Sequence, residues 1–265
     1  MAADELKLIL DSYPGILWGT CRWDGRVRPC RGANRLPEKA NGLIVVLFPY
    51  YSGPRSGGNL SLYARVPDYH RVAGDLLASM CEQLSARFPE NSFVPFCDNS
   101  PIYEVNAAAR AGLGVKGNNG LLINPLYGSY VFVGEIVTDR ELPEGGELSP
   151  CSMCGKCTNL CPGGALGEKG LDAKKCLSAL TQKKGELTPE ETALIKKGNL
   201  IWGCDTCQTV CLHNRNVRHT KVAAFGQDII DRVEEDNAEA LCQDRAFGFR
   251  GPGVLLRNLR IMKEK

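Results

Sequence analysis

The run Cys151-Ser-Met-Cys154-Gly-Lys-Cys157-Thr-Asn-Leu-Cys161-Pro162 restricts this chain more than any other stretch. It reads C-x2-C-x2-C-x3-C-P, the spacing with which bacterial ferredoxin-type modules hold iron–sulfur clusters. One loop can wrap three corners of a cubane, while the fourth cysteine, carried off by a following helix, reaches a neighbouring cluster. A second set of ligands is therefore required. The chain supplies it in Cys176 and in Cys204-Asp-Thr-Cys207-Gln-Thr-Val-Cys211. On the rule that the last cysteine of such a run serves the other cluster, one cluster takes Cys151, Cys154, Cys157 and Cys211, and the other takes Cys161, Cys176, Cys204 and Cys207. A pair of zinc sites is the alternative, since C-x2-C also opens zinc ribbons, but four cysteines between 151 and 161 would crowd one zinc ion. Two four-iron four-sulfur clusters this close make a wire, which electrons enter at one end and leave at the other.

Thirteen cysteines in 265 residues are many, and eight of them fall between 151 and 211. That concentration points to metal ligation in a reducing cytoplasm rather than to scattered disulfides. Met1-Ala-Ala-Asp-Glu-Leu-Lys-Leu has neither the basic start nor the apolar run of a signal peptide, so a cytoplasmic location is expected. No stretch approaches the roughly 20 apolar residues of a membrane span. Cys21, Cys30, Cys81, Cys97 and Cys242 have no partner spacing and are expected to be small core residues or inert thiols. A hydrophobic content of 43% with 23% charged residues supports a real core, and a net charge of +2 gives little global attraction to nucleic acid.

Before the cysteines, the chain alternates between strand and helix signals. Residues 4–11 read as a short helix and Gly15 to Cys21 as a first strand. Leu43-Ile-Val-Val-Leu-Phe-Pro49 is a continuous apolar run, expected in a strand buried on both faces. Asp68 to Phe88 has helical periodicity with Asp68 as N-cap. Phe93 to Cys97 is a short strand, and Pro101 is placed to open a helix running to Ala111, which leaves Asp98 in a strand-to-helix turn. Leu121 to Asn124 and Tyr130 to Val137 are two further strands. Gly112-Leu-Gly-Val-Lys-Gly117 has the letters of a dinucleotide fingerprint but follows a helix and precedes a strand, the wrong order for one. Within the cysteine region, Leu171 to Leu180 and Pro189 to Lys197 are predicted helices, the second capped by Thr188. The tail holds an acidic helix-like piece, Asp228 to Leu241, and a basic end. Expected boundaries are 1–145 for an α/β (α+β) domain with a central sheet, 146–215 for the two-cluster ferredoxin-like module, and 216–265 for a tail packing on the core.

At this point the chain resembles the epoxyqueuosine reductase family, cobalamin and iron–sulfur enzymes of queuosine synthesis in tRNA. The resemblance rests on Tyr63-Ala-Arg-Val-Pro-Asp-Tyr-His70, Cys97-Asp-Asn-Ser-Pro-Ile-Tyr-Glu104, Arg110-Ala-Gly-Leu-Gly114, Leu121-Leu-Ile-Asn-Pro, Tyr127 to Ile136, the cysteine pattern and Leu255-Leu-Arg-Asn-Leu. It implies an oxidoreductase in which a cobalamin-binding α/β domain is fused to the two-cluster module, with tRNA and an external electron donor as partners. It also implies that Asp98 donates a proton as the epoxide oxygen leaves, a role suited to a carboxyl raised in pKa by burial. Glu104 would orient substrate, and Gly112, Gly114, Gly128, Ser129 and Gly134 would let backbone approach the corrin. The chain departs from the family pattern at Gly112-Leu-Gly-Val-Lys-Gly-Asn-Asn119, where an aromatic residue is missing and Asn118 stands where lysine is usual. It also ends without the long helical-repeat extension that many members carry. Two other readings follow from these departures: a related reductase of a small molecule, dehalogenase-like, or a non-catalytic electron-transfer or cobalamin-binding protein. Arg22, Arg26, Arg28, Arg31 and Arg35 could form a basic surface, although arginines in and beside a loop are commonly just solvated.

Overall fold

The computed structural model describes residues 2–24, 32–54, 57–146, 148–168 and 170–264. Cys30, Arg26, Arg28 and Arg31 lie outside the described residues. The first region holds helices α1 (Ala2–Asp11), α2 (Tyr69–Arg87) and α3 (Glu104–Arg110). Its strands are β1 (Leu17–Arg22), β2 (Gly42–Pro49), β3 (Phe93–Cys97), β4 (Val115–Lys116), β5 (Leu122–Ile123) and β6 (Val131–Thr138). Four of them form one sheet in the order β1-β2-β6-β3, antiparallel at every junction.

The apolar run of β2 is buried at all eight positions because the sheet is covered on both sides. Ile44, Val46 and Phe48 pack with Leu77, Met80 and Leu84 of α2 and with Leu10 of α1. The alternate residues Leu43, Val45 and Leu47 pack with Ala107 and Ala108 of α3. β6 divides in the same way: Phe132 and Ile136 face α2, while Val131, Val133 and Val137 face α3. Asp68 caps α2, its carboxylate accepting from the backbone N–H of His70 at 3.0 Å. The helix expected from Pro101 starts instead at Glu104, because the Ser100 hydroxyl accepts from the Ile102 N–H and holds residues 100–102 in a turn.

The cysteine region is built from short pieces: α4 (Lys156–Asn159), the two-residue strands β7 (Leu166–Gly167) and β8 (Gly170–Leu171), α5 (Leu177–Thr181), α6 (Pro189–Gly198) and α7 (Thr206–Thr209). Thr188 and Glu191 form a full capping box at the start of α6, the boundary expected from Thr188-Pro189. The helix expected from Leu171 to Leu180 is reduced to α5. Leu171 pairs with Leu166, and the Asp172 carboxylate accepts from the Lys174 N–H, turning the chain before it reaches Cys176.

The tail adds α8 (Ala223–Gly226), α9 (Ala238–Leu241) and α10 (Pro252–Lys263). Its helix expected from Asp228 shrinks to α9 because the preceding backbone is drawn out: Ile230 N–H donates to Arg65 O, and Asn59 N–H donates to Asp231 O. Leu255 and Leu259 of α10 join Trp202, Phe247 and Leu60 in a third core that ties the tail to residues 60–64 and 201–202. Buried Asn258 donates to the carbonyls of Thr181 and Ile201, both at 2.8 Å, and so ties α10 to α5 and to the strand-like segment before Cys204.

Gly134, at the middle of β6, packs directly under Leu77 of α2. A Cβ built there would stand 2.7 Å from Leu77 Cδ1. Gly134→Ala is therefore expected to destabilise the apo chain by about 1–3 kcal/mol through overpacking, read as a lower urea midpoint at unchanged m-value. An unchanged midpoint would mean that Leu77 relaxes freely.

Candidate functional site

The eight cysteines of the 151–211 region surround two neighbouring cavities. Cys151, Cys154, Cys157 and Cys211 line one, together with Asn118, Asn119 and His213. Cys161, Cys176, Cys204 and Cys207 line the other, of about 450 Å³. The local cause is a pair of one-turn helices packed together. α4 carries Cys157 and ends just before Cys161; α7 carries Cys207 and ends just before Cys211. The last cysteine of each run therefore turns towards the cavity of the other. Met153 and Gly155, both with positive φ (51° and 73°), give the loop its curl around the first cavity.

Crowding thiols together raises the cost of ionising them. Burial, then the neighbouring thiols Cys204, Cys176, Cys161 and Cys157, push the Cys207 thiol up to about 12. Cys204 and Cys211 are raised as well, in both cases chiefly by burial. Cys154 is lowered, chiefly by the Lys156 N–H. Among the described residues no three Cys, His or carboxylate groups converge as a single ion would need. Sets of four soft donors, ringed around a volume and stable together as thiolates only beside positive charge, suit polynuclear iron–sulfur groups.

The second cavity continues towards the sheet domain. It shares Tyr69, Leu121, Ser129, Val131 and Phe132 with a smaller cavity of about 190 Å³ that also holds Asp98 and Glu104. That cavity in turn shares Glu104 and Val105 with an open cleft of about 870 Å³, lined by Asn99, Tyr103, Lys116 and Gly120 among others. A stack of rings forms one wall: Tyr69 lies 4.0 Å from His70 and 4.1 Å from Phe132, the second pair nearly parallel at 8°. Leu121, Val131 and Phe132 add apolar surface, so the middle of the path suits a large flat apolar ligand such as a corrin.

Asp98 stands where the open cleft meets this path. It follows β3 directly, and both Asp98 and Asn99 adopt left-handed backbone (φ 56° and 42°). The α2 N-terminus brings His70 to it: His70 Nε2 lies 3.3 Å from Asp98 Oδ2, and His70 Nδ1 lies 2.6 Å from Asp68 Oδ1. The expected rise in the Asp98 pKa is reversed. Its hydrogen bond to His70 outweighs burial and holds the carboxyl below the usual range, with the side chain 51% exposed. Hydrogen bonds to Asp68 and Asp98 raise His70 to about 9, so the proton of this pair rests on the imidazole at neutral pH. The raised carboxyls lie deeper. Burial and then the Asp98 charge push Glu104 up to about 7, and burial together with Glu104 pushes Glu135, 0% exposed, well above the carboxylate range.

Ser129 alone of the five residues expected at the corrin lines these cavities. Its hydroxyl accepts from Gln208 and Asn214, which fixes the sheet domain to α7. The four glycines are closely packed. Gly134 lies against Leu77, Gly114 against Leu122 and Ile123, Gly112 against Gly145 and Gly146, and Gly128 against Asn214 and Val217. The divergent 115–119 loop is anchored to the cysteine region: Asn118 donates to Thr158 Oγ1 and Asn119 to Cys207 O. Sequence reasoning passed over His70 as a partner of Asp98 and over Glu135. The signal for Glu135 was a lone acid in the apolar run Val131 to Val137; His70 had no local signal.

The His70 pairing makes a pH-dependent contribution to stability. A histidine raised from 6.5 to about 9 by folding contributes fully below pH 6.5 and loses that contribution as pH rises through 9. At the acid end the lowered Asp98 and Asp68 remove it as they protonate below their usual 3.8. The difference in Tm between wild type and His70→Gln is expected to be largest between about pH 4 and pH 6.5 and to vanish above about pH 9. A pH-independent difference would refute the pairing.

Two family profiles match the chain: one described as epoxyqueuosine reductase QueG, DUF1730, over residues 31–99, and a 4Fe-4S double cluster binding domain over residues 150–214. The epoxyqueuosine reductase of Aliivibrio fischeri is 34% identical over 76% of this chain and 57% of its own length. That of Salmonella typhimurium is 37% identical over 77% of this chain and 56% of its own. The chain thus spans somewhat over half the length of these curated relatives. The solved epoxyqueuosine reductase of Streptococcus thermophilus superposes with a TM-score of 0.82 over 99% of this chain and 80% of that one, at 23% identity, so the whole fold is shared. Matched at both its sheet region and its cysteine region, and alike in fold throughout, the chain belongs to the epoxyqueuosine reductase family.

Proposed function

We propose that this chain is a cobalamin-dependent iron–sulfur reductase that converts epoxyqueuosine to queuosine in tRNA. The observation that carries this reading is the continuous line from two four-cysteine cavities, past an aromatic wall, to a carboxylate at the edge of an open cleft. Cys151, Cys154, Cys157 and Cys211 would hold one four-iron four-sulfur cluster. Cys161, Cys176, Cys204 and Cys207 would hold the other, nearer the sheet domain. Tyr69, Leu121, Val131 and Phe132 would receive the corrin, with Ser129 at its edge. When bound, these groups supply the electrons for removal of the epoxide oxygen.

The chain's own side chains supply protons and exclude water. Asp98 and His70 hold one proton between them, on Nε2 at rest. As negative charge grows on the departing oxygen, Asp98 accepts that proton from His70 and passes it on, so that the pair works as a donor although Asp98 itself rests ionised. Asp68, on the other imidazole nitrogen, fixes the ring and its protonation. A solved relative is described in complex with an epoxyqueuosine-modified tRNA stem loop, and the open cleft beside Asp98 is where a modified nucleoside would enter. An external reductant would deliver electrons by way of Cys154, the exposed member of the first set. Eight thiols kept ready for iron fit a reducing cytoplasm.

Anaerobic reconstitution is expected to load about eight irons per chain, and Cys176→Ser to lower that to about four by losing one cluster only. Iron well below eight in the wild type would remove the two-cluster reading. With reduced, cobalamin-loaded protein and tRNA carrying epoxyqueuosine, queuosine should appear by mass. Asp98→Asn should cut the rate by at least about 100-fold at unchanged iron and cobalamin content. Undiminished turnover would take Asp98 out of the reaction.

A further inference from the structure

Loss of an epoxide oxygen breaks two C–O bonds, forms one C=C bond and releases the oxygen as water. Two electrons from an external reductant and two protons balance it, and both protons finish on the same oxygen. Asp98 and His70 share one proton. A second must therefore reach that oxygen from elsewhere within each turnover.

The structure offers one other acidic reservoir on the same cavity. Glu104, in the first turn of α3, lines both the small cavity with Asp98 and the open cleft. Behind it lies Glu135 of β6, on the sheet face that Val131, Val133 and Val137 turn towards α3. Among the described residues, Oε1 of Glu104 is buried with no hydrogen-bond partner, and the Glu135 carboxyl is buried with only the Ser100 hydroxyl near it. At 0% exposure with no ion-pair partner among these residues, a carboxylate costs far more to bury than the neutral acid does. The titratable and polar groups around the pair are Asp98 and Ser100 in the β3–α3 turn, Cys97 at the end of β3, Tyr69 on α2 with His70 beyond it on Asp98, Cys21 on β1, and Lys116 in the open cleft. Arg35 stands over Phe96, the cross-strand neighbour of Glu135, and donates to Asn99 O. Cys97, pushed up to about 12 by burial and the nearby carboxylates, and Tyr69, raised further, keep their protons near neutrality. Ser100 is the one neighbour whose hydroxyl favours the charged form of Glu135.

We propose that Glu104 and Glu135 form a proton-supplying pair that reloads Asp98 with the second proton of each turnover. The pair holds at least one proton at rest; Glu104 gives it up across the small cavity to Asp98 and recovers it from Glu135 or from water in the open cleft. This rests on the reductase reading above.

Two measurements test it. The first uses the full apo chain. A protonated-carboxyl stretching band, shifted in D2O, should be present in the infrared spectrum at pH 7 and lost or halved in Glu135→Gln; a spectrum unchanged in both Glu135→Gln and Glu104→Gln overturns the proposal. The second uses the loaded enzyme with epoxyqueuosine-containing tRNA. Wild-type kcat should fall as pH rises through about 7, where Glu104 ionises. Glu104→Gln should lower kcat by at least about 10-fold and abolish that fall, leaving only a fall near 9 from His70. Glu104 lies at the cavity edge, so this variant carries the test even if Glu135→Gln fails to fold. A wild type that turns over beside a Glu104→Gln of the same rate and profile refutes the pair alone. A wild type that does not turn over refutes the reductase reading, and the pair with it.

Discussion

Four thiols around one small volume repel one another once ionised, and this chain sets two such groups side by side. That constraint governs the architecture of residues 150–214. Cys157 and Cys207 sit in one-turn helices and the other six in the turns beside short elements, all too short to be stable alone. They are held from outside. α10 clamps them through Asn258 and the Trp202–Phe247 core, and Ser129, Gln208 and Asn214 bolt α7 to the sheet domain. Positive charge within each ring of sulfurs would relieve the repulsion, so cluster assembly and local folding are coupled.

The sheet domain meets this module at Asn118, Asn119 and Ser129, just before β6, and β6 carries the path on from there. One face of that strand, with Ile136 and Phe132, completes the core under α2, and Phe132 there also stacks on Tyr69 as the wall of the path. The other, with Val131 and Val133, forms the floor of the path from the cysteines, and Glu135 follows at the next position on it. The antiparallel pairing of β3 with β6 sets Cys97 opposite Gly134. Asp98 is thereby released from the sheet at the end of that floor, in a left-handed turn that leans it against the N-terminus of α2. A helix cap, a strand end and a buried acid thus meet at one point.

What could be read from the sequence was local. Cysteine spacing assigned each cysteine to one of two groups, and the structure draws the same eight residues around two cavities. The apolar run of β2 announced a sheet covered on both faces, and Asp68 and Thr188 marked helix starts because a cap is decided within three residues. The failures were tertiary. The pKa of Asp98 depends on His70, brought to it by the packing of α2 on β3, and no local pattern foretells that contact. Glycines expected at a cofactor stand in close packing against protein neighbours, and in sequence the two roles look the same. The helix predicted at 228–241 was cut short by hydrogen bonds to distant backbone, and that at 171–180 by the Leu166–Leu171 pairing and the Asp172 turn.

The central claim is spatial: two clusters lie in line with a corrin, the nearer one beside the Tyr69–Phe132 wall. Anomalous scattering at the iron and cobalt edges, from crystals of the reconstituted and cobalamin-loaded chain, tests it most directly. The account predicts two four-iron sites within the cavities of Cys151, Cys154, Cys157, Cys211 and of Cys161, Cys176, Cys204, Cys207, with cobalt between the second site and Asp98. A single iron site, or cobalt away from the Asp98 path, would contradict it.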